Sequence, residues 1–258
     1  MQTGAFTGYI DVAQILLYIF WIFFAGLIFY LRREDKREGY PLESDQSDRD
    51  QRILIQGFPA MPEPKTFLLP HGGSVQVPRD NGDRRKLAIE PTSRYPGSPY
   101  RPTGDGMGDG VGPASWAERA ETPDLTIDGA PKIVPLRVAT DYLVDRRDPD
   151  PRGMSVYGAD GVSGGTVREI WVDRSEPQVR YLEVTVSGGR HVLLPIYMAK
   201  VDRRLGKVQV NSIMGSQFAG VPAHANPDQV TLAEEDRISA YYAGGLLYAE
   251  PSRAEPLL

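Results

Sequence analysis

VAQILLYIFWIFFAGLIFYL, residues 12–31, carries one strongly polar side chain, Gln14, in twenty positions. At about 1.5 Å per residue, a helix of that length spans roughly 30 Å, the thickness of a bilayer's hydrocarbon core. A helix also satisfies its own backbone groups where no water can reach them. Tyr9, Tyr18, Trp21 and Tyr30 set several rings near the ends, as an aromatic belt does. A signal peptide would open on basic residues and carry a shorter apolar core and a small-residue cleavage site. Here the first eleven residues hold no Lys or Arg, and Phe and Tyr crowd the later half. The core helix of a soluble protein is seldom apolar all round. The stretch therefore reads as a single transmembrane helix.

Charge on either side orients it. Before the helix stands only Asp11; after it come Arg32, Arg33, Lys36 and Arg37. Positive residues stay on the cytoplasmic side, so residues 1–11 are expected in the periplasm and everything after residue 31 in the cytoplasm. Glu34, Asp35 and Glu38 interleave with the basic cluster, which leaves it a modest attraction for anionic membrane lipids. Ala25 and Gly26 would let a partner helix approach closely.

The 258 residues suffice for this anchor plus one domain with a real core, or two small ones. A net charge of -5 argues against nucleic acid as a partner. The absence of cysteine excludes a disulfide framework, a zinc–thiolate site, an iron–sulfur cluster and a thiol nucleophile. With 22 prolines and 27 glycines, irregular backbone and short strands are expected rather than a helical bundle.

Residues 32–102 read as an extended, proline-rich segment. Ser44 to Gln51 is polar and expected to be mobile, and Pro59, Pro62, Pro64, Pro70 and Pro78 then punctuate the chain. Thr66–Leu69 and Ser74–Val77 have the makings of paired strands. Phe58, Phe67, Leu68 and Leu69 are more apolar than a solvated linker needs, which suggests a segment laid across a partner surface.

Residues 103–258 read as a mainly β domain. Its first stretch, TGDGMGDGVGPASW, matches neither GxGxxG nor GK[ST] and reads as a flexible turn; Ser115 with Glu118 forms a capping-box pattern for a short helix. Between Ile133 and Val210, strands are expected at Thr166–Val172, Tyr181–Val186, His191–Pro195 and Lys207–Val210. The glycine turn at Ser187–Gly189 makes the middle pair a hairpin. Strands of this length and spacing suggest a small antiparallel barrel. A C-terminal helix starts at a Thr231/Glu234 capping box and is expected to close at Gly244–Gly245.

GTVREIWVDRSEPQVRYLEVTV followed by GGRHVLLPI resembles the PRC-barrel pattern. The order of FWIFFAGLIFYLRRED, REGYPLE, PKTFLLPHGG, PTGDGMGDGVGPASW, KIVPLRVATD, those strands and TLAEEDRISAYYAGGLLYA resembles the H subunit of purple-bacterial photosynthetic reaction centres along nearly the whole chain. Each piece is weak alone; together they are specific. The resemblance implies a non-catalytic subunit of the bacterial inner (intracytoplasmic) membrane. It would cap the L and M subunits on their cytoplasmic side, shield their quinone sites and assist proton transfer to the secondary quinone. It implies no cofactor on this chain. The partner subunits would hold bacteriochlorophyll, bacteriopheophytin, quinones and a non-haem iron, with a cytochrome subunit and light-harvesting antenna as further candidate partners.

The same resemblance marks Asp173 and Glu176, on the turn after Trp171-Val172, as the first proton-transfer candidates. Buried carboxylates beside other negative charges suit the task because their pKa rises towards neutrality. The bland alternative is a solvated turn paired with Arg174 or Arg180. Asp128, with Asp124, is the candidate for taking protons from water, against a plain surface-turn role. His71, His191 and His224 share no ligand spacing, so no metal site is expected; His71 reads as part of a turn and His191 as a strand residue. A free-standing membrane-anchored PRC-barrel adaptor is the alternative function. A membrane-tethered enzyme finds no catalytic constellation.

Overall fold

A computed structural model of the chain describes residues 11–44, 53–79, 85–95 and 98–254. Tyr9, most of the expected periplasmic segment 1–11 and nearly all of the polar run 44–51 lie outside the described residues. The chain divides into two compact units, residues 1–82 and 83–258. The division falls ahead of the expected boundary at 102/103.

In the first unit, helix α1 runs Val12–Glu34 and continues as a 3-10 turn over Asp35–Arg37. Asp11 caps it, its side chain accepting from the Gln14 amide at 2.8 Å. No residue of α1 is buried, although the helix is long and apolar enough to cross a membrane. Short strands follow: β1 (Leu42–Ser44) pairs antiparallel with β2 (Ile53–Ile55), and β3 (Lys65–Leu68) with β4 (Ser74–Val77). The second pairing is the hairpin expected from the sequence, with His71 in its turn.

Two residues of the basic cluster are buried against the chain's own backbone. Lys36 is 1% exposed, and its ammonium donates to the carbonyls of Gln56, Gly57 and Pro59. Arg37 donates to the carbonyls of Glu63 and Val77 and pairs with Glu34. Arg32 and Arg33 alone stay exposed. Of the four cations expected to attract lipid, two are thus taken up by backbone carbonyls, those around Lys36 lying in a proline-interrupted stretch outside the strands.

The second unit opens with β5 (Ile89–Pro91) paired to β6 (Tyr100–Pro102). The glycine-alternating stretch that follows is a turn, but a packed one. Met107, Val111 and Ala114 are buried, and Asp109 donates its amide to the Asp105 carbonyl at 2.7 Å. Flexibility was the wrong expectation for it: Gly106 and Gly112 sit against the Tyr248 ring and Gly110 against Trp116, where a Cβ would collide. The expected helix after Ser115 is also absent. Only a 3-10 turn forms, at Gly112–Ala114, and the chain then runs extended, giving its Ala120 and Thr122 carbonyls to the amides of Ala233 and Leu232. A tertiary partner outbids the local capping pattern.

A seven-stranded sheet then forms from β7 (Ile133–Pro135), β8 (Ser155–Tyr157), β9 (Ser163–Asp173), β10 (Gln178–Thr185), β11 (His191–Pro195), β12 (Ala199–Asp202) and β13 (Lys207–Val210). Its path runs β11-β10-β9-β8-β13-β12, with β7 also on β9. Every ladder is antiparallel except β13 with β8. The ends of the path, β11 and β12, are joined by the single 3-10 turn Ile196–Met198. Five strand spacings in a flat sheet would separate them by about 24 Å, whereas the four steps from Pro195 to Ala199 reach roughly 14 Å at most. The sheet therefore curls back on itself, as a small barrel does. Trp171, Ile170, Leu182, Leu193, Leu194, Phe218 and Ile213 are buried in the core on its two faces.

Helix α2 (Leu232–Tyr248) lies against this core through Ile238, Tyr241 and Tyr242. Its capping box forms as read: Thr231 accepts from the Glu234 amide at 3.2 Å and Glu234 accepts from the Thr231 amide at 2.8 Å. The helix does not stop at Gly244–Gly245 but runs through the pair. These glycines serve close packing, on Ala114 and on the Ser212 carbonyl, rather than termination.

Candidate functional site

Strand β9 ends at Asp173, and the chain turns through Arg174–Pro177 into β10. Asp173 is 1% exposed. Its Oδ1 accepts from the amides of Ser175 and Glu176 at 2.9 and 3.1 Å, which fixes the turn. Its Oδ2 faces the Lys132 ammonium at 3.6 Å. Lys132 immediately precedes β7, and it also meets Asp124 Oδ2 at 3.4 Å. The Asp124–Lys132 segment holds its own ends together: the Lys132 amide donates to the Asp124 carbonyl at 2.8 Å, and Leu125 bridges to Pro131. Desolvation works against the Lys132 charge, but Asp173 and then Asp124 outweigh it and lift its pKa.

These groups line one side of a cleft of about 280 Å³. The other side is α2, which contributes Leu232, Glu235, Asp236 and Ser239, with Arg180 and Tyr181 of β10, Tyr197 and Arg119 completing it. The Tyr181 hydroxyl donates to Glu235 Oε2 at 2.7 Å. Burial pushes the Glu235 carboxyl up, against the opposing pull of that hydrogen bond and of Arg180. Burial, with Glu235 beside it, pushes the Tyr181 phenol up far more strongly. Arg119 pairs with Asp236 at 3.5 Å.

Of the four carboxylates singled out from the sequence, Asp173 and Asp124 line this cleft. Glu176 borders it: it lies on the exposed turn, adds to the field on Lys132 and accepts from Gln178 at 3.2 Å. Asp128 stands apart, exposed at the tip of the turn below Thr126. The bland pairing with Arg174 does not form, because Arg174 donates to the Pro131 carbonyl instead. Sequence reasoning missed Lys132, Tyr181 and Glu235. Glu235 follows a capping glutamate and Tyr181 reads as an ordinary strand aromatic; only the crossing of α2 over β10 brings them together.

A second buried carboxylate is built differently. Glu183, 2% exposed on β10, accepts from the Trp171 indole and from Arg137, both at 3.0 Å, and from Arg168 at 3.2 Å. Burial alone would raise its pKa; these donors outweigh burial and lower it. Arg137 also reaches Asp228 at 3.1 Å and so ties the loop before α2 to the sheet. Among the described residues no group of His, Asp and Glu could hold a metal ion. In the first unit, Phe58 and Leu68 are 84% and 85% exposed, and Phe67 and Leu69 are about half exposed.

Comparison with known families places both units. Residues 4–138 match the family model of the photosynthetic reaction centre H-chain, N-terminal region. Residues 144–217 match that of the PRC-barrel domain. Asp124, Lys132, Asp173 and Tyr181 lie within these matches; Glu235 lies beyond both.

Proposed function

Because the chain belongs to the family of photosynthetic reaction centre H chains, membrane-anchored structural subunits that associate with other reaction-centre subunits, we propose that it caps the cytoplasmic face of the L and M subunits, shields their quinone sites and helps carry protons to the secondary quinone. The pigments, quinones and non-haem iron belong, on this reading, to those partners. The observation that carries the proton-transfer part is the cleft where Asp124, Lys132, Asp173 and Glu235 converge. A doubly reduced quinone needs two protons, and a chain of carboxylates and water supplies them through a cover that otherwise excludes solvent. On this reading Asp124, half open to water, takes protons in, the buried Asp173 hands them inward, and Glu176 beside it is the partner-facing candidate.

The capping role finds support in the apolar groups left uncovered. Lipid or partner helices would cover α1, and partner surface would cover Phe58, Leu68 and Leu69. Purification from photosynthetically grown membranes tests this: a pigmented complex with two pigment-bearing partners is expected, and a colourless single chain would favour an adaptor. Flash-induced turnover of the complex tests the proton role. Glu176→Gln is expected to slow the proton-coupled second electron transfer to quinone several-fold while leaving the first unchanged. An unchanged second transfer removes Glu176 from the path.

A further inference from the structure

Asp173 has both of its oxygens committed, Oδ1 to two amides and Oδ2 to Lys132. A proton landing there must break one of these contacts. Asp124 is open to water and gives no shelter to a stored proton. Glu235 differs from both. It is partly buried on α2, its Oε2 is held by the Tyr181 hydroxyl at 2.7 Å, and among the described residues its Oε1 takes no hydrogen bond. It shares one cleft with Lys132 and Asp173.

We propose that Glu235, oriented by Tyr181, is the group that stores a proton in this cleft, which it shares with Asp124, Lys132 and Asp173. The proposal rests on the proton-transfer reading above and adds a residue that neither family match reaches. The incoming proton adds to Oε1 of the Glu235 carboxylate and gives the neutral acid. Its release through ordered water regenerates the carboxylate. The Tyr181 phenol keeps its own proton throughout, so it acts as a positioning residue that fixes the rotamer and leaves Oε1 free. The charges facing Glu235 are arranged for a two-way exchange. Arg180 from β10 and Lys132 ahead of β7 favour the carboxylate, while Asp124 favours the acid. Tyr197, after β11, and the Asp236–Arg119 pair complete the surround. Burial is the largest influence and raises the Glu235 pKa above the ordinary carboxylate value, the direction that favours holding a proton.

The test uses the assembled reaction-centre complex and compares Glu235→Gln, Glu235→Asp and Tyr181→Phe with Asp173→Asn. Glu235→Gln is expected to slow the proton-coupled second electron transfer several-fold and to remove a protonated-carboxyl infrared band expected of wild type. Glu235→Asp should restore part of the rate. Tyr181→Phe should move the pH at which the rate falls upwards, because it removes a hydrogen bond that favours the carboxylate. A variant that merely loosened the fold would slow the step without moving that pH. If Glu235→Gln matches wild type in rate and pH profile while Asp173→Asn is slowed, Glu235 stores no proton and the proton-transfer reading survives. If both variants match wild type, that reading falls and takes this inference with it.

Discussion

At the scale of single residues, two carboxylates of the second unit, one buried and one partly buried, show how environment assigns a role. Glu183 and Glu235 are the same side chain, both near the curled sheet. Glu183 receives three donors, two of them guanidinium groups, and is fixed as an anion. Glu235 receives one neutral donor and is left free to exchange. The consequence for Glu183 is a stability that depends on pH in a definite direction. Its pKa is lowered by folding, so its contribution is complete above the unfolded carboxylate value of about 4.3. It is lost as pH falls through the lower folded value. Arg137→Ala removes the best-placed donor and the tie to Asp228, and should destabilise the protein by about 1–3 kcal/mol at neutral pH, since a buried charge is left under-satisfied. Melting followed by circular dichroism checks it. The deficit relative to wild type should shrink as acid protonates Glu183, and a deficit that persisted unchanged at low pH would assign the loss to packing instead.

At the scale of elements, α2 carries the sharpest conflict between local preference and tertiary demand. Glycine inside a helix costs about 1 kcal/mol relative to alanine, so Gly244 and Gly245 look like a terminator. In the fold a Cβ at 244 would stand 2.5 Å from the Ala114 Cβ, and one at 245 would strike the Ser212 carbonyl. Gly244→Ala and Gly245→Ala should therefore lower the melting temperature despite their better helix propensity, by the roughly 1–3 kcal/mol typical of overpacking. A rise in melting temperature for either would restore the reading of the pair as a stop signal. The same contrast explains which parts of the molecule were legible in its sequence. The anchor, the Thr231–Glu234 cap and the Tyr181–Val186/His191–Pro195 hairpin are each specified by residues within a few positions of one another. The glycine pair, the packing of Gly106 and Gly112 on Tyr248, the carbonyl cage of Lys36 and the Lys132–Asp173 and Tyr181–Glu235 contacts join residues at least 20 positions apart. No local pattern records such partners. Asp173 and Asp124 were found because a family resemblance pointed to their turns, and Glu235 was missed because its chemistry exists only where α2 crosses the sheet.

At the scale of the whole molecule, the question is which side of the membrane each end occupies, and the proton-transfer proposal depends on the answer. α1 exposes apolar residues on every side. Charge alone distinguishes its ends, and the burial of Lys36 and Arg37 leaves Arg32 and Arg33 as the exposed cations at the C-terminal end, against none between Asp11 and Leu31. Two cations within one turn of the span still bias insertion towards a cytoplasmic C-terminal end, because their translocation is the unfavourable step. The chain has no cysteine, so one introduced thiol reports without background. Ser187→Cys sits in the exposed hairpin turn of the second unit, and should react with a membrane-impermeant maleimide in inverted vesicles but not in right-side-out spheroplasts. Thr3→Cys should do the reverse. Labelling of Ser187→Cys from the periplasmic side would place the cleft where no cytoplasmic proton could reach it, and would remove the proton-transfer role together with the orientation.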